Sequence, residues 1–269
     1  MNTPLDGAVA AELESGSPRI VGAGTVHPLQ ALSWGMTAAF ANWQLWILLP
    51  ASIVAAYLLS EGVLASSSLL AHGELASLTP VITVASSFLP LLVGPFVTNA
   101  VIRQLDRSKV GWADLVREVN FWPLLGITLL IAAMNTVIFG IFETPLFSSF
   151  FALTPDTLAD AAAFRTFLLG LGLYFLVSTL VFPLFLFAPY YVADRQAGVG
   201  EALTKGLRDS LRNYLRLVLF FLLMLLVTVV VSFMTLGVGF VFVVAGFLLA
   251  AAYMYREAAG LPVGVAVKY

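Results

Sequence analysis

The chain has no cysteine and only two histidines, and charged residues make up just 10% of it. Without cysteine there is no disulfide, no thiolate-held metal and no cysteine nucleophile. Neither His27 nor His72 has a second histidine or a carboxylate at a metal-ligand spacing such as H-x-x-E-H. His72 and Glu74 sit in the polar stretch "SSSLLAHGELAS" and read as solvated residues. No P-loop, G-x-S-x-G or dinucleotide fingerprint occurs. The sequence therefore offers no catalytic residue, no metal site and no cofactor, and it reads as non-enzymatic. Soluble domains carry roughly 25% charged residues, so the shortage of charge also argues against a soluble chain. No nucleic-acid partner is expected.

Hydrophobic residues make up 60% of the chain, and its mean hydropathy is +0.98. Several apolar runs exceed the roughly 18 residues that mark a transmembrane helix. The expected fold is an all-α integral membrane protein with six transmembrane helices, at 43–61, 79–102, 121–142, 166–192, 215–235 and 237–256. The fourth span is long and holds Pro183 and Pro189, which predict a tilt or kink. Only "TLGVG" turns the chain between the last two spans, and Gly237 and Gly239 permit it. Residues 1–27 lack the basic start and apolar core of a signal peptide and are expected to form a mobile tail. Residues 257–269 form a second tail.

Basic residues set the orientation. Arg103, Arg107, Lys109 and Arg117 follow the second span, and Arg195, Lys205, Arg208, Arg212 and Arg216 lie between the fourth and fifth. Six spans put all of these on one side with Arg19, Arg256 and Lys268, leaving Arg165 alone on the other. Both termini are expected in the cytoplasm. Glu61, Glu143 and Asp194 fall at span ends, so no charge is expected deep in a span.

Three junctions resemble one another. "GMTAAFANWQLWILLP", "ADLVREVNFWPLLGIT" and "GLRDSLRNYLRLVLFF" begin at Gly35, Ala113 and Gly206, and each reaches an asparagine seven positions on: Asn42, Asn120 and Asn213. An aromatic follows each asparagine, and then a span begins. Upstream lie the apolar stripes Leu29, Leu32, Met36, Phe40 in the first and Trp112, Leu115, Val119 in the second. In the third, Leu203, Leu207, Leu211 and Leu215 form an apolar stripe beside the basic stripe of Lys205, Arg208, Arg212 and Arg216. Such a helix, joined directly to a span, belongs in the membrane interface. The expected organisation is three repeat units, 28–103, 109–195 and 199–256, each an interfacial amphipathic helix followed by a helical hairpin.

The segment "APYYVADRQAGVGEALTKGLRDSLRNYLRLVLFFLLMLL" resembles the bacterial six-helix membrane domain fused to some glycerophosphodiester phosphodiesterases, and its stand-alone relatives of unknown function. The shared pattern falls on Gly200, Glu201, Ala202, Leu203, Ser210, Asn213 and Leu217. The resemblance implies a multi-pass protein of the bacterial plasma membrane. It implies no phosphodiesterase activity, because catalysis in fused members belongs to a separate soluble domain.

Lys205, Arg208, Arg212 and Arg216 are the candidates for anionic-lipid contact, although the same charges also serve to enforce topology. Asn135 and Thr136, polar and deep in the third span, are candidates for an interhelical hydrogen bond or a polar pathway. Pro90, Pro95, Pro183 and Pro189 are candidate kinks, for packing or around a substrate site. The leading expectation is a scaffold or envelope-associated factor that organises membrane lipids or partner proteins. The alternative is a transporter or channel for a small or lipid-like substrate.

Overall fold

The structure, a computed structural model, describes residues 24–51, 79–151 and 161–263. Its elements are α1 (Pro28–Ala41), α2 (Trp43–Trp46), α3 (Thr79–Asp106), α4 (Trp112–Val116), α5 (Phe121–Phe151), α6 (Ala161–Val181), a 3-10 turn (Phe182–Phe185), α7 (Ala188–Ala193), α8 (Val199–Arg212), α9 (Tyr214–Met234) and α10 (Phe240–Ala259). Among the described residues, Gly172–Ala193, Tyr214–Met234 and Phe240–Ala259 are long and apolar enough to cross a membrane. A helix satisfies its own backbone groups, which is what lipid demands. The expected spans 79–102 and 121–142 fall on α3 and α5, of 28 and 31 residues. The first, 43–61, passes out of the described residues after Ala51.

Only one of the two proline pairs interrupts its helix. At Pro183, itself buried, the α-helix gives way to the 3-10 turn, and Pro189 lies in the first turn of α7. Proline at these positions lacks only an N–H that a helix start leaves unpaired anyway. In contrast, α3 runs on through Pro90 and Pro95. Pro95 is buried, and the Pro90 side chain lies outside the described ones.

α10 forms the centre, with every residue from Leu249 to Ala258 buried. α1 runs antiparallel along it: Gln30 Nε2 donates to Tyr253 Oη at 2.9 Å, and the Phe40 and Phe242 rings meet at 5.4 Å. Close approach is set by Gly35, where a Cβ would lie 2.6 Å from the Gly246 carbonyl oxygen and 2.8 Å from Ala250 N. Gly206 plays the same part on α8, its Cβ position being 2.8 Å from Ala188 N.

These contacts change how the amphipathic helices are read. α8 carries three stripes. Ala202, Gly206 and Ser210 are buried, while Leu207, Leu211 and Leu215 are exposed, as are Lys205, Arg208 and Arg212. The small residues face protein, so Leu207, Leu211 and Leu215 are left for the surroundings, while Leu203, the first of that stripe, is half-buried against the core. α1 does the same, burying Ala31, Gly35, Ala38 and Ala39 with Leu29 and Phe40 outside. The expected second amphipathic helix is much reduced. α4 has five residues, and Arg117 turns extended with Glu118 at φ 50° before Val119 is reached.

Asn42 and Asn213 each end a helix and perform the same task. The Asn42 amide donates to Ala38 O at 3.4 Å and to Ser108 O at 3.1 Å, and its Oδ1 accepts from Val110 N at 3.3 Å. Asn213 donates to Asp209 O at 3.0 Å and Gly24 O at 3.3 Å, and accepts from Val26 N at 3.1 Å. Each adds its side-chain amide to a carbonyl that its own backbone N–H already meets, and clips two alternate residues of a distant segment, as Asn side chains do where they stand in for backbone partners. Asn120 makes a lesser link, donating to Val192 O at 3.3 Å.

The expected tails are therefore shorter than 1–27 and 257–269. Gly24–His27 is a packed strap, with Val26 only 1% exposed. His27 N and Nδ1 meet the Glu257 carboxylate at 2.8 and 2.9 Å. α10 continues to Ala259, and Val263 is buried.

Candidate functional site

At the end of the bundle where α3, α7 and α10 finish, three charged side chains converge. Arg256 Nη1 and Nη2 meet Asp106 Oδ1 and Oδ2 at 2.6 and 3.0 Å, and Nη2 also reaches Asp194 Oδ1 at 3.2 Å. Tyr255 Oη donates to Asp194 Oδ2 at 3.2 Å. Asp106 is the last residue of α3 and Asp194 caps α7. Each acid thus sits at the negative end of its own helix, where a cation is the favoured neighbour. Burial pushes the Asp194 carboxyl above the usual carboxylate range, against the pull of Arg256 and the Tyr255 hydroxyl. From the sequence no charge is expected deep in a span, and Arg256 reads only as a topology marker. The structure buries Arg256, Glu257 and most of Asp194, because each has a partner from another part of the chain: Asp106 and Asp194 for Arg256, and His27 of the strap for Glu257.

Beside this cluster a cleft of about 650 Å³ opens between α8 and the end of α10. Lys205, Arg208, Asp209 and Arg212 line it from α8, with Tyr191 and Gln196 at its base and Ala258, Ala259 and Leu261 opposite. Lys205 pairs with Glu201 at 2.8 Å, an exposed i,i+4 bridge. Among the described residues neither Arg208 nor Arg212 has an acidic partner. Asp209, one turn from Lys205 and Arg212 and next to Arg208 in the chain, is bonded instead by the Tyr191 hydroxyl through Oδ2. The cleft therefore presents unpaired guanidinium groups, the chemistry that binds phosphate or carboxylate.

Of the four sequence candidates, Lys205, Arg208 and Arg212 come together in the cleft. Arg216 does not. Its Nη1 donates to Val26 O at 3.4 Å, tying down the strap. Asn135 is half-buried in α5, and Thr136 bonds back to Ala132 O at 3.0 Å within the same helix. Pro183 borders an apolar region, where Phe182, Ser178, Thr179, Phe221, Thr228 and Phe247 line a groove of about 290 Å³ between α6, α9 and α10. Glu61, His72 and Glu74 lie outside the described residues, as does the Glu143 side chain. Among the described residues no group of three His, Asp or Glu side chains is placed to hold a metal.

The described residues thus form a helical protein with three helices among them long and apolar enough for a membrane and a basic cleft at one end. Comparison with protein-family models, curated proteins and solved structures gives no match to it.

Proposed function

We propose that this chain is a non-enzymatic six-span membrane protein that holds an anionic lipid headgroup in its cytoplasmic basic cleft and so organises lipid around itself. The observation that carries this reading is the pair Arg208 and Arg212, without acidic partners, on a helix whose adjacent stripe of leucines is exposed. Headgroup and acyl chains are then met by neighbouring faces of one helix, as in an interfacial helix. Each base near an anionic leaflet contributes about 1 kcal/mol. Three bases then give on the order of a hundredfold in affinity.

The three-unit arrangement belongs to this reading. Positions Ala31, Gly35, Ala39, Asn42 and Trp46 are buried in the first unit, and Ala202, Gly206, Ser210, Asn213 and Leu217, at the same spacing, are buried in the third. Asn42 of the first unit clips the segment before α4, and Asn213 of the third clips the segment before α1. Such links pass from the first unit to the second and from the third back to the start, while Asn120 bonds Val192 within its own unit. Arg256, Asp106 and Asp194 supply one charge from the end of each returning helix.

Native mass spectrometry of protein extracted in its own lipids tests the proposal, comparing wild type with the Lys205→Gln, Arg208→Gln, Arg212→Gln triple variant. The wild type is expected to retain anionic phospholipid and the variant to lose it. Equal retention would sink the lipid-site reading. A second reading, transport of a lipid-like molecule, draws on the apolar groove and the hydroxyls of Ser178, Thr179 and Thr228 within it. Accelerated exchange of a labelled lipid between leaflets in reconstituted vesicles is the result that favours transport over holding.

A further inference from the structure

A purely cationic site would bind any phosphate, but this cleft contains a carboxylate that none of its cations neutralises. Lys205 is engaged with Glu201 at 2.8 Å, and no ion pair joins Asp209 to Arg208 or Arg212 among the described residues. The Tyr191 hydroxyl holds Asp209 through Oδ2, while Oδ1 takes no hydrogen bond among the described residues. An acceptor fixed in this way among cations is placed to meet a donor on the ligand. From this we infer that the cleft selects a phosphodiester lipid whose headgroup carries hydroxyls, of the phosphatidylglycerol type. The phosphate bonds Arg208 and Arg212, and a headgroup hydroxyl donates to Asp209 Oδ1. This rests on the lipid-holding reading above and adds to it the choice of headgroup.

The charges decide between headgroups. Phosphatidic acid has no headgroup donor for Asp209 and brings a phosphate monoester, with up to two negative charges, against that carboxylate. The ammonium of phosphatidylethanolamine would donate, but it would lie among Lys205, Arg208 and Arg212 and be repelled. A neutral hydroxyl avoids both conflicts. The opposite wall, Ala258, Ala259 and Leu261, is apolar and suits the glycerol–ester region of a lipid better than a soluble polyol phosphate. A hydrogen bond to a charged group is among the stronger ones available, so the preference is large enough to measure.

The full chain is placed in nanodiscs of phosphatidylcholine containing equal fractions of phosphatidylglycerol, phosphatidic acid and phosphatidylethanolamine, and bound lipid is counted by native mass spectrometry. Wild type is expected to favour phosphatidylglycerol over phosphatidic acid by about tenfold. Asp209→Asn is expected to bring that ratio near unity while total anionic lipid stays the same or rises. Tyr191→Phe, which keeps the charge but frees Asp209 to turn onto the arginines, is expected to lower both selectivity and total binding. Arg208→Gln with Arg212→Gln removes anionic lipid altogether. A competition arm with glycerophosphoglycerol, the deacylated phosphodiester headgroup, separates lipid from soluble phosphate, and displacement of the lipid by it at equal concentration overturns the lipid assignment. If anionic lipid is retained but the ratio is the same in wild type and Asp209→Asn, the headgroup inference fails and the lipid-holding reading stands. If wild type retains no anionic lipid, both fail together.

Discussion

Replacing Arg256 by Gln is expected to lower the unfolding free energy by about 3–5 kcal/mol, the cost of leaving a buried partner uncompensated. Asp194 is the residue left exposed to that cost, since its side chain is only 14% accessible, while Asp106 at 47% can turn to water. The pH dependence identifies the cause. The Asp194 carboxyl is already raised by burial, and losing Arg256 raises it further. A carboxyl raised in the folded state contributes stability that falls as pH rises through its folded pKa and returns as pH drops below it. The variant should therefore recover part of its loss in mild acid. Asp194→Asn in the same chain should recover it at neutral pH. Thermal unfolding in detergent across a pH series measures both, and an Arg256→Gln chain equally weakened at all pH values would show that Asp194 is not the group in distress.

Gly35→Ala and Gly206→Ala are expected to destabilise strongly, each by about 1–3 kcal/mol or more, through overpacking. The new methyl at Gly35 would face the Gly246 carbonyl and Ala250 N, and at Gly206 it would face Ala188 N and Cα. These are backbone atoms, so no rotamer change relieves the contact and the helices must separate. Gly126→Ala is the control. Its Cβ would meet only Val199 Cγ2 at 4.0 Å, and exchanging Gly for Ala in a helix gains up to about 1 kcal/mol. Opposite shifts in unfolding temperature for the two kinds of site would establish that close helix approach is the cause. A small effect at Gly35 would mean that α1 does not lie so tightly on α10.

Much of this architecture is legible in the residues, and the illegible part has a consistent reason. Apolar length places α3, α5, α9 and α10 within a few residues of their bounds, except that α5 runs on to Phe151. The Asn42 and Asn213 junctions and the basic stripe are visible as spacings. Which stripe faces protein is not. Leu207 and Leu211 draw the eye, yet Ala202, Gly206 and Ser210 are the buried ones. In lipid there is no hydrophobic drive to bury leucine, and close contact between helices rewards small residues. Periodicity therefore shows that a face exists without showing what covers it. The same holds for charge. Arg256 reads as an orientation signal, and only the meeting of α3, α7 and α10 reveals its two carboxylate partners. His27 and Glu257, 230 positions apart, have no local pattern that would join them.

The packing of α1 against α10 has a consequence for biogenesis. α1 leaves the ribosome well before the surface of α10 that receives Gly35. At about 5–20 residues per second, the interval between them is on the order of 10–40 s. Through that time the small-residue face of α1 lacks its partner, and His27 waits for Glu257. A nascent chain interrupted before α10 lacks the helix at its own centre. Such a product leaves the small-residue face of α1, with Gly35 and Ala38, uncovered and open to the wrong partner.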